Sequence, residues 1–299
     1  MSYQLELRHL HYFLAVAETL HFRKAAEKLF ISQPGLSRQI KEMEGQLGVT
    51  LFERHNRQVK LTHAGTYLKE ELTKNLKHLE SILDHAKLLE DGKDGKLNFG
   101  YVGSAMQKII PNLLLKFTKE HPDVLFSLKE MDNNKQIEGL LSQEIDIGFV
   151  RLERIPRGLN SHPVLKEPFC LVLPKAHAIE ASTFKNLSQL KNEHFILFDP
   201  EYSASYYEKV MTIFDDSGFN PLITHNTIHA DSIYKLVENN FGISIVPKSL
   251  QDESNSKIKF IELNKIKQRT VLFAVWNTEN RNPILGNILT LINNANKKV

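Results

Sequence analysis

Residues 33–41 carry the densest chemistry in the chain. Gln33, Pro34, Ser37, Arg38 and Lys41 recur at spacings that one helix face collects, and no acid falls among them. An arginine reads guanine at two points, a glutamine reads adenine likewise, and a serine hydroxyl takes a phosphate or a base edge. Glu42 and Glu44 follow only toward the far end of that helix. Such a face suits the major groove of DNA. It also suits the solvated basic side of an ordinary helical hairpin, so the face alone leaves both readings open.

The elements around it narrow the choice. Ala25, Ala26 and Leu29 give one short apolar stripe, and Leu36, Ile40, Met43 and Leu47 give a second. Ser32 is placed to cap the second helix, Pro34 falls in its first turn, and Gly48 sits where a left-handed cap wants glycine. Small residues on the first helix let the second cross closely, which is a helix-turn-helix. Leu51-Phe-Glu-Arg-His-Asn-Arg-Gln-Val-Lys-Leu-Thr62 then reads as a β-hairpin wing carrying Arg54 and Arg57.

These pieces, with Leu7-Arg-His-Leu-x-Tyr-Phe, Gln33-Pro-x-Leu-Ser-Arg-Gln-Ile, Leu47-Gly, Leu51-Phe-Glu-Arg and Leu61-Thr-x-x-Gly65, resemble the DNA-binding end of a LysR-type transcriptional regulator. The chain downstream resembles, more narrowly, the branch that controls catabolism of aromatic compounds. The resemblance implies sequence-specific binding through Gln33, Pro34, Ser37, Arg38, Lys41, Arg54 and Arg57, with Arg57 in the minor groove beside the wing. It implies an operator that is an interrupted inverted repeat in double-stranded DNA. Two positions depart from the family pattern. His21 and Arg23 replace small hydroxyl residues around Phe22, which predicts a charge-assisted phosphate contact and a lost helix cap. Gly35 stands where Ala or Pro is usual.

The first helix is read over Leu7–Thr19, with Leu10, Phe13, Leu14 and Ala17 inward; His9 and His11 are surface or packing residues, since nothing nearby completes a metal site. From Thr62, its cap, the chain enters a long helix. Leu72, Leu79 and Ala86 recur every seven residues, Asn75, Ile82 and Leu89 follow each by three, and Leu68, Leu76 and Leu83 widen the stripe. This predicts a dimer seam of Leu72, Asn75, Leu79, Ile82, Leu83 and Ala86; the alternative is a helix packed on its own domain. Glu90 to Gly95 reads as a polar glycine hinge.

Beyond it the period changes to βαβαβ twice. The first set is strand Leu97–Val102, helix Gln107–His121, strand Val124–Lys129, helix Asn134–Gln143 and strand Ile145–Val150. The second is strand Phe195–Phe198, helix Ser205–Ser217, strand Leu222–Asn226, helix Asp231–Asn240 and strand Ile243–Val246. Phe169–Pro174 and Thr270–Trp276 read as the two crossings between lobes, and Pro283–Asn294 as a terminal helix. The expected fold is therefore an N-terminal all-α winged helix-turn-helix (1–61), a linker and dimerisation helix (62–91), and a C-terminal α/β two-lobed effector domain resembling a periplasmic binding protein (92–299). Lobe I spans about 96–168 and 270–299, lobe II about 169–269.

Composition excludes other classes. The chain has 299 residues, 41% apolar, with a net charge of +3. Residues 1–66 hold nine Lys and Arg against six Glu, so the basicity lies at the end that meets phosphate. No apolar run is long enough to span a membrane, and Met-Ser-Tyr-Gln-Leu-Glu lacks a signal-peptide pattern. One cysteine, Cys170, makes no disulfide or metal cluster, which fits a reducing cytoplasm. No cofactor is expected. An enzyme reading fails for want of a site: His225-Asn-Thr-Ile-His229 has Asn226 where a zinc protease needs Glu, Gly100-Tyr-Val-Gly103 is no phosphate loop, and no Gly-x-Ser-x-Gly elbow exists. A stand-alone transport protein fails on the attached helix-turn-helix.

In the family that this chain resembles, a small effector sits between the lobes and is held where strands end. That implies Ser104, Asn133 and Arg151 from the first lobe, and Tyr202, Ser203 and Tyr206 from the second. Ser104 opens a helix, Asn133 replaces a frequent Thr, and Arg151 offers a two-point grip. Helix ends, an arginine and hydroxyls around an aromatic wall suit a small aromatic or unsaturated carboxylate. The alternative leaves Ser104 as a cap and Arg151 paired with Glu153 or Glu130. The resemblance also brings a homodimer or homotetramer and admits RNA polymerase as a partner.

Overall fold

The computed structural model describes residues 5–55, 58–90, 95–252 and 254–295. It divides into two compact units, Met1–Asp84 and His85–Val299.

In the first unit, α1 (Leu7–Thr19), α2 (Phe22–Lys28) and α3 (Gln33–Leu47) enclose a core of Phe13, Val16, Ala25, Leu36, Ile40 and Met43. The local signals act as expected. Ser32 Oγ accepts the Gly35 N–H at 3.2 Å, and Gly48 closes α3 at φ 68°. The cap expected to be lost at His21 is instead made by the histidine, whose Nδ1 accepts the Lys24 N–H at 3.3 Å. An imidazole nitrogen does here what a hydroxyl oxygen usually does. His9 is buried and packs: its Nδ1 accepts the Glu6 N–H, and its Nε2 meets Gln39 Oε1 at 2.9 Å, tying α1 to α3.

The wing is an antiparallel pair, β1 (Phe52–His55) with β2 (Gln58–Leu61), in which Phe52 faces Leu61. Thr62 then caps α4 (His63–Glu90) by accepting the Gly65 N–H, while its hydroxyl donates to Thr50 O at 2.7 Å. A Cβ on Gly65 would lie 2.2 Å from Leu51 O, so the close crossing of α4 and the wing root requires glycine. Leu68 and Leu72 of α4 pack on the helix-turn-helix core. Farther along, Ile82, Leu83 and Leu89 are half exposed or more.

In the second unit each lobe has one sheet. Lobe I joins β3 (Gly95–Tyr101), β4 (Val124–Glu130), β5 (Ile147–Val150), β6 (Leu159–Glu167) and β12 (Thr270–Asn277) in the order β4-β3-β5-β12-β6. Lobe II joins β7 (Phe169–Pro174), β10 (Ser244–Pro247) and β11 (Ile258–Glu262), and pairs β8 (His194–Phe198) with β9 (Leu222–Thr227). A parallel bridge from Phe195 to Ile243 links the two sets, giving β9-β8-β10-β7-β11. The two lobes thus share one topology, three parallel strands and then two antiparallel ones, and each takes its fourth strand from a crossing of the chain.

The structure departs from expectation in two places. The helix read over 107–121 is found as α6 (Ile109–Glu120), but a separate four-residue turn, α5 (Gly103–Met106), precedes it, divided from it where Lys108 leaves helical geometry. The outermost strands β6 and β11 were not anticipated. Helices α7 (Asn133–Leu141), α8 (Ala204–Asp216), α9 (Ala230–Glu238) and α10 (Leu285–Ala295) fall close to their expected places.

Candidate nucleic-acid interface and small-molecule cleft

The start of α3 carries Gln33, Pro34, Arg38 and Lys41 exposed, with Ser37 half-buried among them. Arg38 and Lys41 have no partner within the chain among the described residues. Arg54 is different. Its Nη1 donates to Ser37 Oγ at 3.0 Å, its Nη2 lies 3.6 Å from Glu44 Oε2, and its guanidinium stacks 4.4 Å from the Phe22 ring centroid. Glu44 is itself fixed, accepting the N–H groups of Leu51 and Phe52 at 2.8 and 3.1 Å. The wing root and α3 are therefore one braced piece. Arg57 lies outside the described residues.

In the second unit a cavity of about 210 Å³ opens between the lobes. Ser104, Arg151, Tyr202, Ser203 and Tyr206 line it; Asn133 does not. Its apolar wall comes from Val102, Phe198, Ile228, Pro247 and Leu250.

Arg151 is not the free cation that its position at a strand end implied. It is 4% exposed, and its Nη2 meets Glu167 Oε1 at 2.5 Å. Its Nε donates to Ser104 Oγ at 3.1 Å, and its Nη1 to Thr270 Oγ1 at 2.9 Å. Glu167 in turn accepts the Ser249 N–H and hydroxyl at 2.5 and 2.8 Å. The partner is neither Glu153 nor Glu130, because the pairing of β12 with β6 and β5 sets Glu167 opposite Thr270, beside the end of β5. Ser104 is an acceptor for Arg151 and makes no cap, and the helix it opens is only four residues long.

Asn133 and Tyr202 clasp the lobes together. Asn133 Nδ2 donates to Ser203 Oγ at 2.8 Å and to Arg151 O at 2.9 Å, and its Oδ1 accepts the Arg151 N–H at 3.2 Å. The Tyr202 hydroxyl accepts the Gly103 N–H and donates to Glu130 Oε1, both at 3.2 Å. Burial, with Glu130 nearby, holds the Tyr202 phenol well above its ordinary pKa and outweighs the Gly103 N–H, so it stays a donor. Tyr206 is buried and donates to Ile245 O at 3.1 Å. It forms part of the cavity wall.

Sequence reasoning missed Glu130, His229 and Asp231 at the cavity mouth, where His229 lies 3.6 Å from Glu130. The strand-end rule applied to β4 and β9 points to all three. Among the described residues no group of His, Cys, Asp and Glu could hold a metal, and no helix is long and apolar enough to cross a membrane.

Two family profiles match most of the chain. Residues 7–66 match the bacterial regulatory helix-turn-helix protein, lysR family, and residues 90–295 match the LysR substrate binding domain. The chain is 32% identical over 273 residues to the HTH-type transcriptional regulator YnfL of Escherichia coli (strain K12), covering 91% of this chain and 92% of that one. It is 32% identical over 288 residues to the regulator CatR of Pseudomonas putida, covering 96% and 98%. The crystal structure of full-length CbnR complexed with its target DNA superposes with a TM-score of 0.68 at 27% identity, covering 97% of this chain and all of that one.

Proposed function

The chain belongs to the LysR family of transcriptional regulators, and from that premise we propose that Gln33, Pro34, Ser37, Arg38 and Lys41 read one half of an interrupted inverted repeat while a small molecule between the lobes sets the output. What supports the DNA reading is an exposed, acid-free donor face at the N-terminal end of α3, backed by a braced wing. The partner places the protein in the cytoplasm, and RNA polymerase is the machinery such a regulator acts upon. Its relatives are named as regulators, and we read the chain as a binding protein without catalysis of its own. The test is selection of sites from a randomised duplex pool. Arg38→Ala is expected to cost about 1–3 kcal/mol on the selected site and to relax preference at one base pair. Equal affinity of parent and variant for selected and random duplexes overturns the assignment.

The effector's class follows from charge. A carboxylate entering the cleft meets an arginine already neutralised by Glu167 and a mouth carrying Glu130 and Asp231. It binds only by drawing Arg151 away or by resting on hydroxyls and strand-end N–H groups. A molecule without negative charge and with an apolar body pays neither cost, and that is the class favoured by this geometry. Matched pairs such as benzoate and benzamide, titrated into the full chain by calorimetry, decide it. The amides should bind more tightly, and Glu167→Gln should turn the preference toward the acids. Tight binding of acids by the unaltered chain restores the carboxylate reading.

A further inference from the structure

The direction of one hydrogen bond on the reading face carries information about base preference. A serine hydroxyl has one proton and two lone pairs, and a guanidinium has only donors. Between Arg54 and Ser37, therefore, the arginine N–H donates and the serine oxygen accepts, at 3.0 Å. The Ser37 proton is left over. On other helices here a hydroxyl returns its proton to the carbonyl four residues back, as Thr118 does to Leu114 and Thr212 to Glu208. Among the described residues Ser37 makes no such bond. Arg54 meanwhile is held on three sides, by Ser37, by Glu44 and by the Phe22 ring. Its side chain keeps only 31% of its exposure, unlike the open Arg38 and Lys41.

We infer that Arg54 is a positioning residue that fixes the polarity of Ser37, turning its hydroxyl into a donor aimed at an acceptor on a base edge. The inference rests on α3 being the helix that enters the major groove. An outward O–H distinguishes purine N7, guanine O6 and thymine O4 from the amino groups of adenine and cytosine, which an undirected hydroxyl accepts as readily. Arg54 acts through Ser37 and takes no phosphate itself.

The experiment uses the full chain and the duplex pool. Ser37→Ala identifies the base pair that Ser37 reads, by flattening preference there about 3–10-fold. Arg54→Met, which keeps a stem over Phe22, should flatten the same pair by a similar factor and leave the others unchanged. The double variant should be no worse than Ser37→Ala, and Arg54→Lys, which keeps a donor, should recover part of the preference. Uniform weakening on every sequence, with a salt slope smaller by about one, makes Arg54 a phosphate ligand and overturns the inference. So does an Arg54→Met matrix identical to the parent's. If Ser37→Ala changes nothing, the reading of Ser37 itself falls, and the inference with it. A melting curve checks folding of each variant. Should Arg54→Met not fold, the DNA is altered instead: removing the acceptor, by 7-deazapurine or 4-deoxythymine at that pair, should weaken the parent as much as Ser37→Ala does and leave Ser37→Ala indifferent. A parent indifferent to that removal overturns the inference.

Discussion

Glu167 and Arg151 show what a buried pair contributes and what it conceals. Each is 4% exposed, so removing one partner strands a charge in low dielectric. Glu167→Gln should lower the unfolding free energy of the C-terminal unit by about 3–5 kcal/mol, read from the urea midpoint. Replacing both by methionine should recover most of that loss, because the desolvation cost goes with the charges; equal losses in the single and double variants would refute the account. Cys170 gives the pH counterpart. Burial, aided by Glu262 and Glu167, pushes its thiol up to about 12. A thiol raised above its unfolded value stays protonated at neutral pH, so the stability it reflects is complete below about pH 8.5 and is lost as pH rises through 12. Iodoacetamide at pH 8 should therefore modify the unfolded chain rapidly and the native chain hardly at all. At this scale legibility followed distance along the chain. Caps at Ser32, Thr62 and Gly48 were readable because each involves neighbours a few residues apart. The Arg151–Glu167 pair was not, since it depends on a strand whose sequence, Asn-Ser-His-Pro-Val-Leu-Lys-Glu, hides its period behind Pro163 and polar residues.

Among elements, the parallel core of each lobe was the readable part. Its inner strands β5, β8 and β10 are buried on both faces and appear as apolar runs such as Ile147–Val150 and Phe195–Phe198. The outer antiparallel strands β6 and β11 mix polar residues with apolar ones, and they join their sheets only by pairing with the crossings β12 and β7, a pairing that no local pattern announces. The long helix α4 divides in the same way. Its first apolar residues are spent on its own unit, with Leu72 packed against the helix-turn-helix core. Ile82 and Leu83, 50% and 55% exposed, have no such cover in one chain. We propose that a second copy covers this row of half-exposed branched side chains on the 28-residue helix. Leu79→Asp should put a charge into that seam and halve the mass seen by light scattering at micromolar concentration. An unchanged mass would move the main interface to the effector domains.

At the scale of the molecule, closure is the property that both lobes and both crossings share. Four hydrogen bonds of the Tyr202-Ser203 segment reach lobe I: the two at the Tyr202 hydroxyl, Asn133 Nδ2 on Ser203 Oγ, and the Asn133 N–H on Tyr202 O at 3.4 Å. Arg151 adds a lock at the hinges, since one guanidinium touches Glu167 just before the first crossing and Thr270 at the start of the second. An effector acts only through a difference in its affinity for the open and closed arrangements, so whatever sets their balance sets the response. Tyr202→Phe removes two hydrogen bonds and leaves the ring. At about 0.5–1.5 kcal/mol each, the closed population should fall by roughly ten-fold relative to open. Exchange of the Gly103 amide hydrogen, read by mass spectrometry without any ligand, should speed up by about that factor, with a larger radius of gyration in solution scattering. Any effector that selects the closed cleft should lose apparent affinity by the fraction of closed state lost, while contacts of the ring are kept. If exchange at Gly103 is unchanged in Tyr202→Phe, the hydroxyl does not hold the lobes. Closure would then rest on Asn133, where Asn133→Ala should produce the same pair of effects.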